Sequence, residues 1–151
     1  FRRVLFRSNE NIFLLYGDVG YGIFDELKEV HPKRCINVGS SEQLMIGMAT
    51  GMTYENKIPI CYTITPFLIY RPFEFIRNYL AHERANVKLV GSGRDNDYRE
   101  AGYTHHAFNV RDSLIALGDI EMYFPDNKDE IPSIMQDFIY NEKPAFLSLS
   151  R

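Results

Sequence analysis

The chain has 151 residues, 45% of them hydrophobic and 25% charged, enough to bury the core of one domain and too apolar for a disordered segment. A net charge of −3, with no basic run beyond the extreme N-terminus, argues against nucleic acid as a partner. No apolar run reaches the roughly 18 residues of a membrane span, and nothing reads as a secretory signal, so no membrane partner is expected.

The first eight residues, FRRVLFRS, are basic and unlike the rest of the chain. They are expected to be a non-native leader, of the kind a translated sequencing adapter would leave, with the domain running over 9–151. From there short apolar runs alternate with amphipathic stretches. NIFLLYGD (11–18) reads as a buried strand ending in a turn, and IFDELKEV (23–30) as a short helix. CINVG (35–39) is a second strand and 40–55 a helix; IPICYT (58–63) is a third strand. PFEFIRNYLAHER (72–84) reads as a helix with Pro72 in its first turn. VKLVGSG (87–93) is a fourth strand that runs into a polar loop, RDNDYREAGYTHH. A helix at 110–118, a strand at 120–125, a helix at 128–141 and a last strand at 144–150 complete the chain. Cys35 and Cys61 both sit inside apolar runs, so buried reduced thiols are expected, in keeping with a cytoplasmic protein.

Continuous apolar strands separated by helices predict a doubly wound, three-layer α/β/α domain with a mostly parallel sheet of about six strands. Ligands of such sheets gather at the carboxyl ends of the strands. Four segments fall there: GDVGYG, GSSEQ, TITPFLIYR and GSGRDNDYREAGYTHH.

Glu42, in NVGSSEQLMIGMATGM (37–52), has two readings. Ser40 and Gln43 have the spacing of a capping box, with Ser41 the other possible cap, and Glu42 in the first turn suits the helix dipole. Alternatively, the helix start delivers a carboxylate to a ligand. Either way Met45, Met48, Ala49 and Met52 form one buried face, and Gly47 and Gly51 are expected to admit a neighbouring backbone. GDVGYG carries neither a phosphate-loop lysine nor the dinucleotide spacing, and Asp18 within it is a ligand group or a turn residue. His105 and His106, in THH, could present an imidazole to an oxyanion or phosphate, or Thr104 could cap the following helix. No metal site is expected, since adjacent histidines rarely both reach one ion and His31 and His82 are distant in sequence. Phe67, Tyr70 and Phe73 surround Arg71 and could form a core, an interface or a flat slot for a heteroaromatic ring.

Taken together and in this order, GDVGYG, NVGSSEQLMIGMATGM, CYTITPFLIYRPFEFIRN, VKLVGSG and GYTHHAF resemble the pyrimidine-binding domain of transketolase-like, thiamine-diphosphate-dependent enzymes. The resemblance covers residues 11–151. It implies that Glu42 is the glutamate that hydrogen-bonds N1′ of the cofactor's aminopyrimidine and serves as one end of an acid–base relay, while the cofactor supplies the electron sink. It implies that Phe67 and Tyr70 pack against the pyrimidine ring and that Asp18 lies near the cofactor. His105 would approach the substrate's oxygens, with His106 as its neighbour.

The magnesium-binding G-D-G motif that clamps the diphosphate in such enzymes is missing, so Mg2+ is expected on a partner domain or subunit. The chain is then a fragment or one subunit of a split enzyme, inactive alone and part of a homo- or hetero-oligomer. The implied chemistry is two-carbon transfer on a sugar phosphate or 2-oxo substrate. THHAF favours the transketolase type, although the charged RDNDYREA loop departs from it. Two rivals remain at this point: a non-catalytic domain of the same fold that binds a partner, and a flavodoxin-like nucleotide module, for which GDVGYG serves poorly.

Overall fold

The computed structural model describes residues 6–151. Its six strands are β1 (Ile12–Tyr16), β2 (Cys35–Asn37), β3 (Ile58–Ile64), β4 (Lys88–Ser92), β5 (Glu121–Tyr123) and β6 (Ala145–Leu149). They form one sheet in the order β2-β1-β3-β4-β6-β5, and every neighbouring pair is parallel. A parallel sheet needs cover on both faces, which is why its strands are apolar without alternation.

Register divides the strand residues between the two faces. Leu15 lies opposite Cys61, Cys61 opposite Leu89, and Leu89 opposite Phe146, giving one row across the sheet. On that face pack α2 (Glu42–Tyr54), α3 (Thr65–Tyr70) and α5 (Val110–Leu117), together with α4 (Phe73–Phe75) and the π-helix Ile76–His82 that continues it. Tyr16, Tyr62, Val90 and Leu147 form a row on the other face. It is covered by α1 (Asp25–Val30) and α6 (Ile131–Tyr140). The expected three-layer architecture is therefore the observed one.

Local differences from the sequence reading have physical causes. TITPFLIYR was read only as the segment after strand three, yet Pro66 opens α3 there, because its missing N–H is no loss in a first helical turn. The helix expected over 72–84 is mostly π-helical, with Glu83 N–H donating to Asn78 O at 3.2 Å. In α2, Met45 and Ala49 are fully buried while Met48 and Met52 are half-buried. The glycines of α2 do not admit a backbone: a Cβ on Gly47 would meet the Phe75 ring at 3.2 Å, and nothing lies within 4 Å of one on Gly51. Both cysteines are free, Cys61 buried and Cys35 half-buried, and burial pushes both thiols up.

Of the expected leader, residues 1–5 lie outside the described residues. Phe6 is buried; its carbonyl accepts from Arg34 Nη2 at 2.6 Å, and the Arg34 guanidinium stands 5.0 Å from its ring centroid.

The strand order fixes where a ligand fits. The chain leaves β1 for β2 on one side, and α2 then carries it back across to β3 on the other side of β1. The connections at the carboxyl ends of β1 and β3 thus diverge and open a crevice, the topological switch point of the sheet. Gly17 follows β1, Thr63 lies near the end of β3, and Glu42 opens the helix that makes the crossing.

Candidate functional site

Glu42 is the first residue of α2 and only 2% exposed. The capping box does not place it: Ser41 is the N-cap residue and makes no side-chain cap bond. The helix instead starts on a backbone bond, Met45 N–H to Ser41 O at 2.9 Å. That leaves the Glu42 carboxylate at the positive end of the helix, turned into the crevice rather than spent on its own backbone.

Three residues shape the space around it. A Cβ on Gly17 would lie 3.0 Å from Thr63 Oγ1 and 3.5 Å from Glu42 Oε1, so the absent side chain leaves room between strand β1 and these two groups. Thr63 is 1% exposed, and its Oγ1 has no hydrogen-bond partner among the described residues. A buried hydroxyl left unpaired costs about 1–3 kcal/mol, which is tolerated where a ligand is to supply the partner. Arg71, the C-cap of α3, closes the other side. Its Nη1 donates to both Glu42 oxygens, at 2.9 and 2.8 Å.

The Arg71 guanidinium also lies 3.9 Å from the ring centroid of Phe67, one helical turn earlier on α3. Phe67 in turn meets His105 edge to face, with centroids 4.8 Å apart. His105 Nδ1 pairs with Thr104 Oγ1 at 3.0 Å. The structure thereby brings Glu42, Phe67 and His105, which are distant in sequence, into one continuous group through Arg71.

The other expected site residues have surroundings of their own. Asp18 adopts φ 53° just past β1; its carboxylate accepts from Tyr21 Oη at 3.3 Å and from Asn37 Nδ2 at 3.2 Å. Tyr70 ends α3 and is 41% exposed. Arg71 stacks on Phe67 alone of the three aromatics expected around it. His106 faces Tyr103 and Phe108, with ring centroids at 6.1 and 5.5 Å, and its Nε2 is 3.5 Å from Arg99 O. Thr104 caps no helix through its side chain, for α5 has Asn109 as its N-cap. Among the described residues no three His, Cys, Asp or Glu side chains are grouped to hold a metal ion.

An aminopyrimidine needs a carboxylate in the ring plane at a nitrogen, an aromatic face and polar partners. The Glu42 oxygens, the Phe67 ring and the unpartnered Thr63 hydroxyl supply that set, and the missing Cβ of Gly17 supplies room. The residues present fit the group.

Comparison with known proteins decides the family. Residues 3–151 match the pyrimidine-binding domain of transketolase. The chain belongs to the transketolase pyrimidine-binding domain family. It is 29% identical over 118 residues to a subunit of the apulose-4-phosphate transketolase of Actinobacillus succinogenes, covering 78% of this chain and 38% of that one. Mouse transketolase is 36% identical over 118 residues, 77% of this chain and 17% of that enzyme. A solved split-gene transketolase, described as an inactive β4 tetramer, superposes with a TM-score of 0.85 at 25% identity, over 98% of this chain and 47% of its own. The chain thus spans less than half the length of these transketolases.

Sequence reasoning missed Gly17 and Thr63 altogether and gave Arg71 no role toward Glu42. The Glu42–Arg71 pair spans 29 positions and arises only because α2 crosses over β1; no local pattern signals it. A glycine at the carboxyl end of the strand before the crossing was the one available hint for Gly17.

Proposed function

We propose that this chain is the pyrimidine-binding half of a thiamine-diphosphate-dependent, transketolase-like transferase, with Glu42 as the residue that activates the cofactor. The observation that carries the reading is the Glu42 carboxylate: buried, at a helix N-terminus in the sheet's switch-point crevice, joined through Arg71 to the Phe67 ring, with Thr63 Oγ1, which has no partner among the described residues, also facing the missing Cβ of Gly17.

Bound thiamine diphosphate would supply the nucleophilic carbon and the electron sink for two-carbon transfer. Glu42 would hold the ring at N1′ and exchange a proton there, as one end of an acid–base relay. Phe67 would offer the face against which the ring lies, and Tyr70 and Asp18 are its further candidate contacts. Burial excludes water from the proton transfer, which strengthens the Glu42 contact. His105, edge-on to Phe67, extends the site toward where substrate oxygens would lie, and His106 flanks it. The substrate class is a sugar phosphate or 2-oxo compound.

The diphosphate and its Mg2+ belong to a partner domain or subunit in this reading, and the isolated chain is inactive. Relatives named as transketolase subunits, and a split-gene transketolase whose β4 tetramer is described as inactive, support both statements. Oligomeric assembly belongs to the same reading, supported by relatives named as transketolase subunits. The two free thiols, and the absence of any described helix long and apolar enough to cross a membrane, are compatible with a cytoplasmic setting.

The test is reconstitution with a diphosphate-binding half, assayed for ketol transfer between sugar phosphates. Turnover is expected only in the joined halves, and Glu42→Gln should lower kcat by about 10²–10⁴, the range for a positioned acid–base group. Normal turnover by the Glu42→Gln assembly would overturn the reading.

A further inference from the structure

We propose that Arg71 is a built-in place-holder for the aminopyrimidine, occupying the two main contacts the ring would make and giving them up on binding. The proposal rests on the cofactor reading above and adds a residue and a step to it.

Arg71 makes together the two contacts that the ring would need. Its Nη1 lies 2.9 and 2.8 Å from the two Glu42 oxygens, and its Cζ stands over the Phe67 ring, 3.9 Å from the centroid. A guanidinium, like an aminopyrimidine, is a planar, delocalised group with N–H donors at its edge. Both cannot hold the Glu42 oxygens and this face of Phe67 at once. Cofactor entry therefore requires the arginine to leave.

The geometry is that of an exchangeable contact rather than a permanent clamp. Only one guanidinium nitrogen reaches the carboxylate, where a two-nitrogen fork would hold it more firmly. The Arg71 side chain is 45% exposed, against 2% for Glu42, so it has solvent to swing into. Pro72 directly follows, breaking the chain between α3 and α4, so withdrawal of Arg71 need not disturb a continuous helix. The need for a place-holder is also physical. A buried carboxylate without a partner is strongly unfavourable, and Thr63 Oγ1 alone does not meet it. Arg71 keeps Glu42 paired until the ring nitrogen takes over.

An exchange of this kind reduces apparent affinity by the fraction of chains already open. Removing the arginine should therefore tighten ring binding, the opposite of losing a binding residue. The experiment measures thiamine binding to the full chain by calorimetry and by NMR, following the Arg71 side-chain N–H resonance in the wild type. Arg71→Ala is expected to bind thiamine about tenfold tighter than wild type, and thiamine should release the wild-type Arg71 N–H from its protected, downfield position. Unchanged or weaker binding by Arg71→Ala overturns the place-holder, as does an Arg71 resonance that ignores bound thiamine, or no binding by the variant at tens of millimolar. Arg71→Gln, which keeps a neutral donor beside Glu42, serves if the alanine variant does not fold, with the same sign expected. Glu42→Ala separates the two levels: if it leaves thiamine affinity untouched, the cofactor reading itself fails, whatever Arg71 does.

Discussion

Among the described residues two charged side chains are buried, one toward each end of the sheet, and the two are treated in opposite ways. At the amino-terminal end, Lys88 opens β4 and is fully buried. Its Nζ donates to Asn141 Oδ1 at 2.5 Å and to Lys143 O at 2.6 Å, so it fastens the turn after α6 to the sheet. Asn141 Nδ2 donates onward to Tyr123 Oη at 3.0 Å, and Tyr123 to Asp137 Oδ2. Every member of that network has a partner from the same chain. At the carboxyl-terminal end, Glu42 is held by one nitrogen of a half-exposed arginine, beside a hydroxyl with no partner among the described residues. A closed network rigidifies a fold; an open one stores unmet hydrogen-bonding capacity that a ligand can satisfy.

The largest expected effects separate the two ends. In a reconstituted enzyme, Glu42→Gln should cost orders of magnitude in turnover while shifting unfolding free energy by no more than about 1 kcal/mol, because removal of a buried charge offsets a weakened ion pair. Lys88→Met should do the reverse: turnover retained, with about 1–3 kcal/mol of stability lost near pH 10, where the buried amine is neutral and its removal costs only its bonds to Asn141 and the Lys143 carbonyl. Denaturant titrations paired with ketol-transfer rates check both. If Glu42→Gln unfolds the chain, or Lys88→Met abolishes turnover in a folded assembly, the contrast collapses.

A smaller effect sharpens the same contrast through pH. Burial pushes the Lys88 ammonium down to about 8, with Asp137 opposing the shift. The unfolded chain, with the lysine near its ordinary 10.5, binds more protons between these values, so stability should rise as pH increases above about 8. Burial, and then the bond to Asp137, push Tyr123 up to about 12, so above about 10 the folded state holds the extra proton and stability should fall. The expected gain between pH 8 and 10 is on the order of 2 kcal/mol, and Lys88→Met should lack it. A wild-type stability profile that is flat or falling across that window would show that the ammonium keeps its proton through the bonds to Asn141 and Lys143.

The sequence made some of this legible and hid the rest for definable reasons. The strands were readable because burial on both faces leaves uninterrupted runs such as Ile60–Cys61–Tyr62, and Glu42 was readable because a helix start fixes its position. Lys88 was not, since a lysine at a strand's first residue looks like an exposed end until α6 closes over it. Arg71 stood out only as a cation among aromatics. Its partner became visible once strand order placed the start of α2 above β1 and β3. Helix geometry near Phe75 also escaped, because a π-helix has no propensity signature distinct from an α-helix.

Thr63 gives the smallest effect and the most direct measure of openness. Valine has nearly the same shape, and the hydroxyl it replaces has no partner among the described residues to lose. Thr63→Val should therefore stabilise the chain, by about 1 kcal/mol, or roughly 2–4 °C in Tm. If the hydroxyl is reserved for the cofactor, the same substitution should weaken thiamine binding several-fold, so that stability and affinity move in opposite directions. Higher stability with unchanged affinity would remove Thr63 from the site and leave its burial a packing accident beside Gly17. Lower stability would mean that the hydroxyl already has a partner in solution, and the carboxyl-terminal end would then be as closed as the Lys88 network.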